Sequence, residues 1–204
     1  IRLVAATDMS VMIFGENGTG KEHIAHHLHD KSKRAGKPFV AVDCGSLTKE
    51  LAPSAFFGHV KGAFTGADST KKGYFYEAEG GTLFLDEVGN LALETQQMLL
   101  RAIQERRYRP FGDKSDRSFN VRIIAATNED LEAAVSEKRF RQDLFYRLHD
   151  FGITVPPLRD CQEDILPLAE FFREIANKEL ECNVSGFSSE ARKALLTHAW
   201  PGNV

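Results

Sequence analysis

Cysteine is scarce in this chain of 204 residues: Cys44, Cys161 and Cys182 are far apart and include no CxxC pair. Three widely spaced thiols argue against a disulfide framework and a thiolate zinc site, and point to a reducing cytosol. Long hydrophobic runs are missing too. No apolar run exceeds four residues, which excludes a membrane-spanning helix and the core of a signal peptide. An excess of positive charge is also absent. Asp and Glu number 29 against 26 Lys and Arg, for a net charge of -3. Net charge therefore offers no support for sequence-independent nucleic-acid binding by the whole chain. There is no internal repeat. The chain begins without Met and stops at Trp200-Pro201-Gly202-Asn203-Val204, so it is expected to be a fragment of a longer protein.

What is present is an ordinary globular composition, 42% hydrophobic and 27% charged, in a length that allows one large domain or a domain with a small appendage. Short apolar runs at 10–14, 38–42, 82–85, 121–126 and 152–155 read as buried strands. Amphipathic stretches at 21–33, 91–107 and 129–138 read as helices between them. In the second, Ala92, Leu99, Ala102 and Ile103 recur at helical spacing. Strand–helix alternation predicts an α/β fold, a parallel sheet covered by helices, over residues 1–155. Pro156-Pro157 breaks the pattern. Residues 156–204 then carry only helical segments, at 162–180 and 188–198, the second with Ser188 as its N-terminal cap. They form a small helical lobe cut short by the chain end, with Trp200 expected in its core.

The first strand runs into Gly15-Glu16-Asn17-Gly18-Thr19-Gly20-Lys21-Glu22 and then a helix. Strand, glycine-rich turn and helix in that order are the setting of a phosphate loop. Its backbone N–H groups and the helix N-terminus attract phosphate oxygens, and Lys21 can reach the β- and γ-phosphates. Glu22 stands where the general motif has a Ser or Thr hydroxyl for magnesium, so another carboxylate must help. The run Gly80-Gly81-Thr82-Leu83-Phe84-Leu85-Asp86-Glu87 supplies one, as an apolar strand ending in two acids. Asp86 can hold Mg2+ through water, and Glu87 can orient and deprotonate an attacking water. Taken alone, the same acids read equally well as a solvated turn.

These motifs, with Gly62-Ala63-Phe64-Thr65-Gly66-Ala67, closely resemble the central AAA+ ATPase domain of bacterial enhancer-binding proteins, the activators of sigma-54 RNA polymerase. The resemblance covers nearly the whole chain and implies an AAA+ core with a partial helical lid, in proteins that often act in two-component systems. In that family the phosphate loop also carries Glu after its lysine. Residues 121–128 look like the sensor I strand, with Asn128 near the γ-phosphate. Residues 140–148 look like the arginine-finger segment, which implies that Arg141 and Arg147 complete a neighbour's site in a ring, expected to be a hexamer. Residues 155–159 look like the hinge into the lid, and Trp200–Val204 like the approach to a sensor II arginine that lies beyond the chain.

The resemblance implies that ATP and Mg2+ are the cofactors and that the partner is sigma-54 RNA polymerase, touched by Phe64 and Thr65 of the 62–67 loop. Promoter and enhancer DNA would be bound mainly by a flanking domain. Without the resemblance, Arg141 and Arg147 would read as solvated arginines pairing with Asp143 or Asp150, and Phe64 as a core residue. The stretch 106–117, with five basic and two acidic residues, reads as a hairpin that either faces DNA or is merely charged. His23, His26, His27 and His29 read as a solvated helix face rather than a metal site. Two rival functions remain: a motor acting directly on DNA, and a nucleotide-gated scaffold without turnover.

One position departs from the family. Many members have Asn at the end of the second strand, thought to hold the catalytic Glu aside, where this chain has Asp43. An ionised Asp cannot donate to a carboxylate. Either Asp43 still acts on Glu87, through a shared proton or a bridging group, or it pairs with a nearby Lys or Arg.

Overall fold

The structure, a computed structural model, describes residues 2–204. The chain divides into two compact units. One comprises the residues up to Gly15 and Lys21–Thr154; the other comprises Glu16–Gly20 and Val155–Val204. The sequence suggested a single cut at 155/156, with the whole phosphate loop in the first part. The structure instead groups the loop's tip with the C-terminal segment.

In chain order the first unit holds α1 (Arg2–Ala5), β1 (Val11–Phe14), α2 (Lys21–Asp30), β2 (Phe39–Asp43), α3 (Ala52–Phe57), α4 (Tyr74–Glu77), β3 (Thr82–Asp86) and α5 (Leu93–Glu105). It continues with β4 (Arg107–Tyr108), β5 (Arg117–Ser118), β6 (Arg122–Thr127), α6 (Leu131–Ser136), α7 (Gln142–Leu148) and β7 (Phe151–Thr154). Five of these strands form one parallel sheet, in the order β2-β3-β6-β1-β7.

That order explains the sequence pattern. β1, β3 and β6 lie inside the sheet and are buried on both faces, hence their unbroken apolar runs. β2 and β7 are the edges and are only partly buried. Arg122 opens β6, yet its side chain is 1% exposed. Its guanidinium donates to the carbonyls of Val4, Ala5 and Met9, satisfying the open C-terminal end of α1. Burial pulls its pKa below the ordinary arginine value. Arg34 makes a similar tie, donating to Asp8, Gly81 and Asn120.

α3 and α4 are short and were not evident in the sequence. Phe57 and Phe75 bring them together with ring centroids 5.6 Å apart, and Phe119 sits 4.6 Å from Phe75. This aromatic cluster fixes the two ends of the intervening 58–73 segment, which contains the Gly62–Ala67 loop. α5 begins at Leu93 and buries Leu99, Ala102 and Ile103 as their spacing implied. Its Thr95 is fully buried, and its hydroxyl has no hydrogen-bond partner among the described residues. Thr95→Val exchanges that hydroxyl for a methyl group of the same shape. It is expected to raise stability by about 1 kcal/mol, or a few degrees in melting temperature. A fall of that size in a thermal melt would show that the hydroxyl is satisfied.

The second unit contains α8 (Gln162–Glu179) and α9 (Ser189–Thr197) beside the phosphate-loop tip. Ser188 caps α9 by accepting from Ala191 N at 3.2 Å, as expected. Trp200 is only half-buried; its indole N–H donates to Leu195 O. Among the described residues no helix is long and apolar enough to cross a membrane.

Candidate functional site

The carboxyl edge of the sheet gathers most of the chemistry. β1 and β6 are neighbours whose onward connections run opposite ways, β1 to the β2 edge and β6 to the β7 edge. Such a reversal opens a crevice at the strand ends, the usual ligand position in open α/β sheets. In register, Phe14 stands beside Thr127 and Asp43 beside Asp86. Asp43 and Asp86 therefore end their strands at this edge, and Gly15, Lys21, Glu87 and Asn128 follow the carboxyl ends of β1, β3 and β6.

Gly15 N donates to Thr127 O at 3.2 Å, and Lys21 Nζ donates back to Gly15 O at 3.0 Å. Lys21 is largely buried at the start of α2. Glu22 is exposed and lies 3.8 Å from His26, one helical turn on. Of the four histidines, His23, His26 and His27 are exposed, but His29 is buried and hydrogen-bonded to Thr82. Burial lowers the His29 pKa. The histidine-rich stretch is thus not wholly a solvated face. Among the described residues no group of three His, Cys, Asp or Glu side chains is placed to hold a metal.

Asp86 closes β3 and accepts from Glu87 N at 3.0 Å. Glu87 has left-handed backbone, φ 52 and ψ 45, and opens a single 3-10 turn at Val88–Asn90. That turn brings Asn90 back to the glutamate, so that Asn90 Nδ2 donates to Glu87 Oε2 at 2.9 Å. Asp43 makes no ion pair with a Lys or Arg among the described residues. Its Oδ1 caps the 3-10 turn Cys44–Ser46, accepting from Gly45 N at 2.8 Å. An added Cβ on Gly45 would lie 2.7 Å from Glu87 Oε2, 3.2 Å from Asn90 Nδ2 and 3.2 Å from Asp43 Oδ1. Asp43, Glu87 and Asn90 thus share one small cluster, and the amide comes from Asn90. Cys44 lies beneath it. Burial, with the charges of Asp43, Asp86 and Glu87, pushes its thiol pKa far up, which leaves it unreactive.

Arg141 caps the start of α7, and Arg147 lies in its last turn. Arg141 pairs with Asp143, donating through Nε at 3.0 Å and Nη2 at 2.8 Å, and holds that carboxyl below its usual range. Arg147 is exposed and makes no ion pair among the described residues. Sequence reasoning missed Gln96, which is fully buried on α5. Its Nε2 donates to Leu91 O and Arg139 O, and its Oε1 accepts from Arg141 N at 2.8 Å. Gln96 therefore sets the start of the arginine-bearing helix. A polar residue on the inward face of an amphipathic helix was the available signal.

Phe64 does not fold into the core; it is 48% exposed. Gly62 N donates to Ala67 O at 2.9 Å, closing the loop, and Ala67 N donates to Phe64 O. Gly62 and Gly66 take φ 79 and 98 with open space around them, backbone that a side chain would strain. The Phe64 ring rests edge-on against His59 at 5.0 Å, and Thr65 is exposed beside it. The expected hairpin exists as β4–β5. Its turn reaches the loop, since an added Cβ on Gly112 would lie 2.8 Å from Ala63 Cβ. Within the hairpin, Arg109 pairs with Asp116 and Arg117 with Asp113.

The profile of the sigma-54 interaction domain matches residues 1–154, and that of an AAA+ ATPase lid domain matches 159–204. The chain belongs to the sigma-54 interaction domain family. It is 48% identical over 203 residues to the transcriptional regulatory protein GlrR of Escherichia coli, covering 100% of this chain and 46% of that one. It is 50% identical over 203 residues to the alginate biosynthesis regulator AlgB of Pseudomonas aeruginosa, covering 100% of this chain and 45% of AlgB. The crystal structure of Brucella abortus NtrX in complex with ATP superposes with a TM-score of 0.90 at 36% identity, over 99% of this chain and 46% of NtrX. The chain spans about half the length of these relatives. For a sigma-54 interaction domain, the exposed 62–67 loop and the acids that end β3 are the two features to be explained together.

Proposed function

We propose that this chain binds and hydrolyses ATP and uses the cycle to engage and remodel sigma-54 RNA polymerase for promoter opening. The observation that carries the reading is the Gly62–Ala67 loop. Its glycine ends, exposed Phe64 and anchored base make it a movable apolar contact in the same unit as the sheet-edge acids. Gly15–Gly20 supplies backbone N–H groups for the phosphates, and Lys21 supplies positive charge. Asp86 has the donor chemistry for a water-mediated Mg2+, which when bound would neutralise phosphate charge. Glu22, exposed beside His26, contributes less to that site.

Glu87 is the base that deprotonates water, and Asn90, by donating to its carboxylate, keeps it from the water until the partner is engaged. Asn128, following β6, orients the γ-phosphate end. Arg141 and Arg147 serve a neighbouring copy in a ring, which we take to be a hexamer. Among the described residues Arg147 makes no ion pair, whereas Arg141 must leave Asp143 first. Promoter and enhancer DNA are assigned to a flanking domain, and the working compartment is the cytoplasm. Four of the hairpin's charges are matched internally, which argues against a DNA-tracking motor.

The test is co-migration of sigma-54 with the protein in the presence of an ATP transition-state analogue. Phe64→Ala and Thr65→Ala are expected to abolish co-migration without changing affinity for ADP. Lys21→Ala is expected to abolish ADP and ATP binding, read by calorimetry. Retained co-migration in both loop variants would remove the role of the loop. ATPase activity stimulated by DNA alone would favour the motor instead.

A further inference from the structure

The tip of the phosphate loop is held from outside by the C-terminal segment of the second unit. Arg159 donates to Glu16 through both terminal nitrogens, at 2.8 Å to Oε2 and 2.5 Å to Oε1. Asn203 is 4% exposed with φ 62, and all its side-chain polar atoms are engaged. Its Nδ2 donates to Asn17 O at 2.8 Å and to Glu16 Oε2 at 3.3 Å, while its Oδ1 accepts from Leu158 N at 2.8 Å. Val204 N donates to Gly18 O at 3.1 Å. Gly18 has φ 75, and a Cβ there would lie 2.1 Å from Gly202 O. So Gly18 is required by the close approach of the Trp200–Val204 turn, beyond any need of a phosphate.

These contacts have a direct consequence for anion binding. A trans peptide sets its C=O and N–H on opposite sides. Tying the Asn17 carbonyl to Asn203 therefore turns the Gly18 N–H the other way, away from the C-terminal turn. The same side chain that orients this carbonyl also bonds the Glu16 carboxylate and the backbone at Leu158. Orienting backbone donors before the anion arrives lowers the entropy lost on binding.

We propose that Arg159 and Asn203, acting through Glu16 and the Asn17 carbonyl, are positioning residues that pre-form the phosphate loop for a nucleoside di- or triphosphate. The inference rests on the ATP reading above and adds to it a device outside the phosphate-binding groups. Arg159 and Glu16 are each partly exposed, 43% and 44%, so the pair by itself is modest, and the buried Asn203 reinforces it by bonding the same carboxylate. The two hydrogen-bonding partners hold the Glu16 carboxyl down at about 2, Arg159 contributing more than Asn203, so the pair persists throughout the neutral range.

The test is a double-mutant cycle in the intact protein, with calorimetric titration of ADP and of AMP and a thermal melt without nucleotide. Arg159→Met and Glu16→Gln are each expected to weaken ADP binding about three- to tenfold, and the double variant no more than either. AMP lacks the phosphate that the loop grips, so its affinity should not move, nor should the melting temperature. The proposal is overturned if both single variants bind ADP like the parent, if their losses multiply in the double variant, or if ADP and AMP affinity fall together. No ADP binding by the parent protein would overturn the nucleotide reading itself, and this inference with it.

Discussion

Arg147→Ala is expected to lower ATP turnover by about 10³–10⁵-fold while leaving ADP binding by the same subunit intact. A guanidinium offered to a phosphate is permanently charged and donates in a planar fork, so alanine leaves no substitute. Among the described residues Arg147 has no ion pair to relinquish, whereas Arg141 is tied to Asp143 by two hydrogen bonds. Arg141→Ala should therefore cost turnover as well, but less than Arg147→Ala. The decisive form mixes subunits. Lys21→Ala cannot bind nucleotide, and the arginine variants cannot serve a neighbour, so each is inactive alone. Rings containing both should regain activity, because an intact phosphate loop then faces an intact arginine. Co-assembly with no recovery would place the arginines in their own subunit's structure.

Glu87→Gln should retain ATP binding and lose about 10²–10⁴-fold in turnover, the usual worth of a positioned general base. Turnover at the parent rate would show that another group takes the proton. The Asn90 contact makes a prediction of opposite sign. Asn90→Ala removes the 2.9 Å hydrogen bond that occupies Glu87 Oε2, so basal turnover without sigma-54 should rise several-fold and respond less to its addition. Asp43→Asn tests the other candidate for the same role. Asp43 Oδ1 is engaged by Gly45 N, and an Asn side-chain oxygen can keep that bond, so the response to sigma-54 should change little. If Asp43→Asn changes that response and Asn90→Ala does not, the roles are reversed.

The strands were legible because interior parallel strands must be apolar on both faces, and β1, β3 and β6 are the three interior strands of the sheet. The phosphate loop and the acids after β3 were legible because their chemistry depends on contiguous residues whose spacing is written in the chain. So was the Gly62–Ala67 loop, six contiguous residues that carry the family resemblance, with Gly62 and Gly66 on either side of Phe64.

Tertiary structure alone decided what depends on residues far apart or on a local backbone turn. Asn90 reaches Glu87 only because Glu87 adopts a left-handed conformation, which nothing in its side chain announces. Gln96 reads as a flaw in an apolar stripe until Arg139 and Arg141 come to meet it. Glu16 looks like one more loop residue until Arg159 and Asn203 close on it from 143 and 187 positions away. In each case a polar group must find a partner once water is withdrawn or the backbone is held. The sequence names the group, but only the folded chain determines which partner arrives.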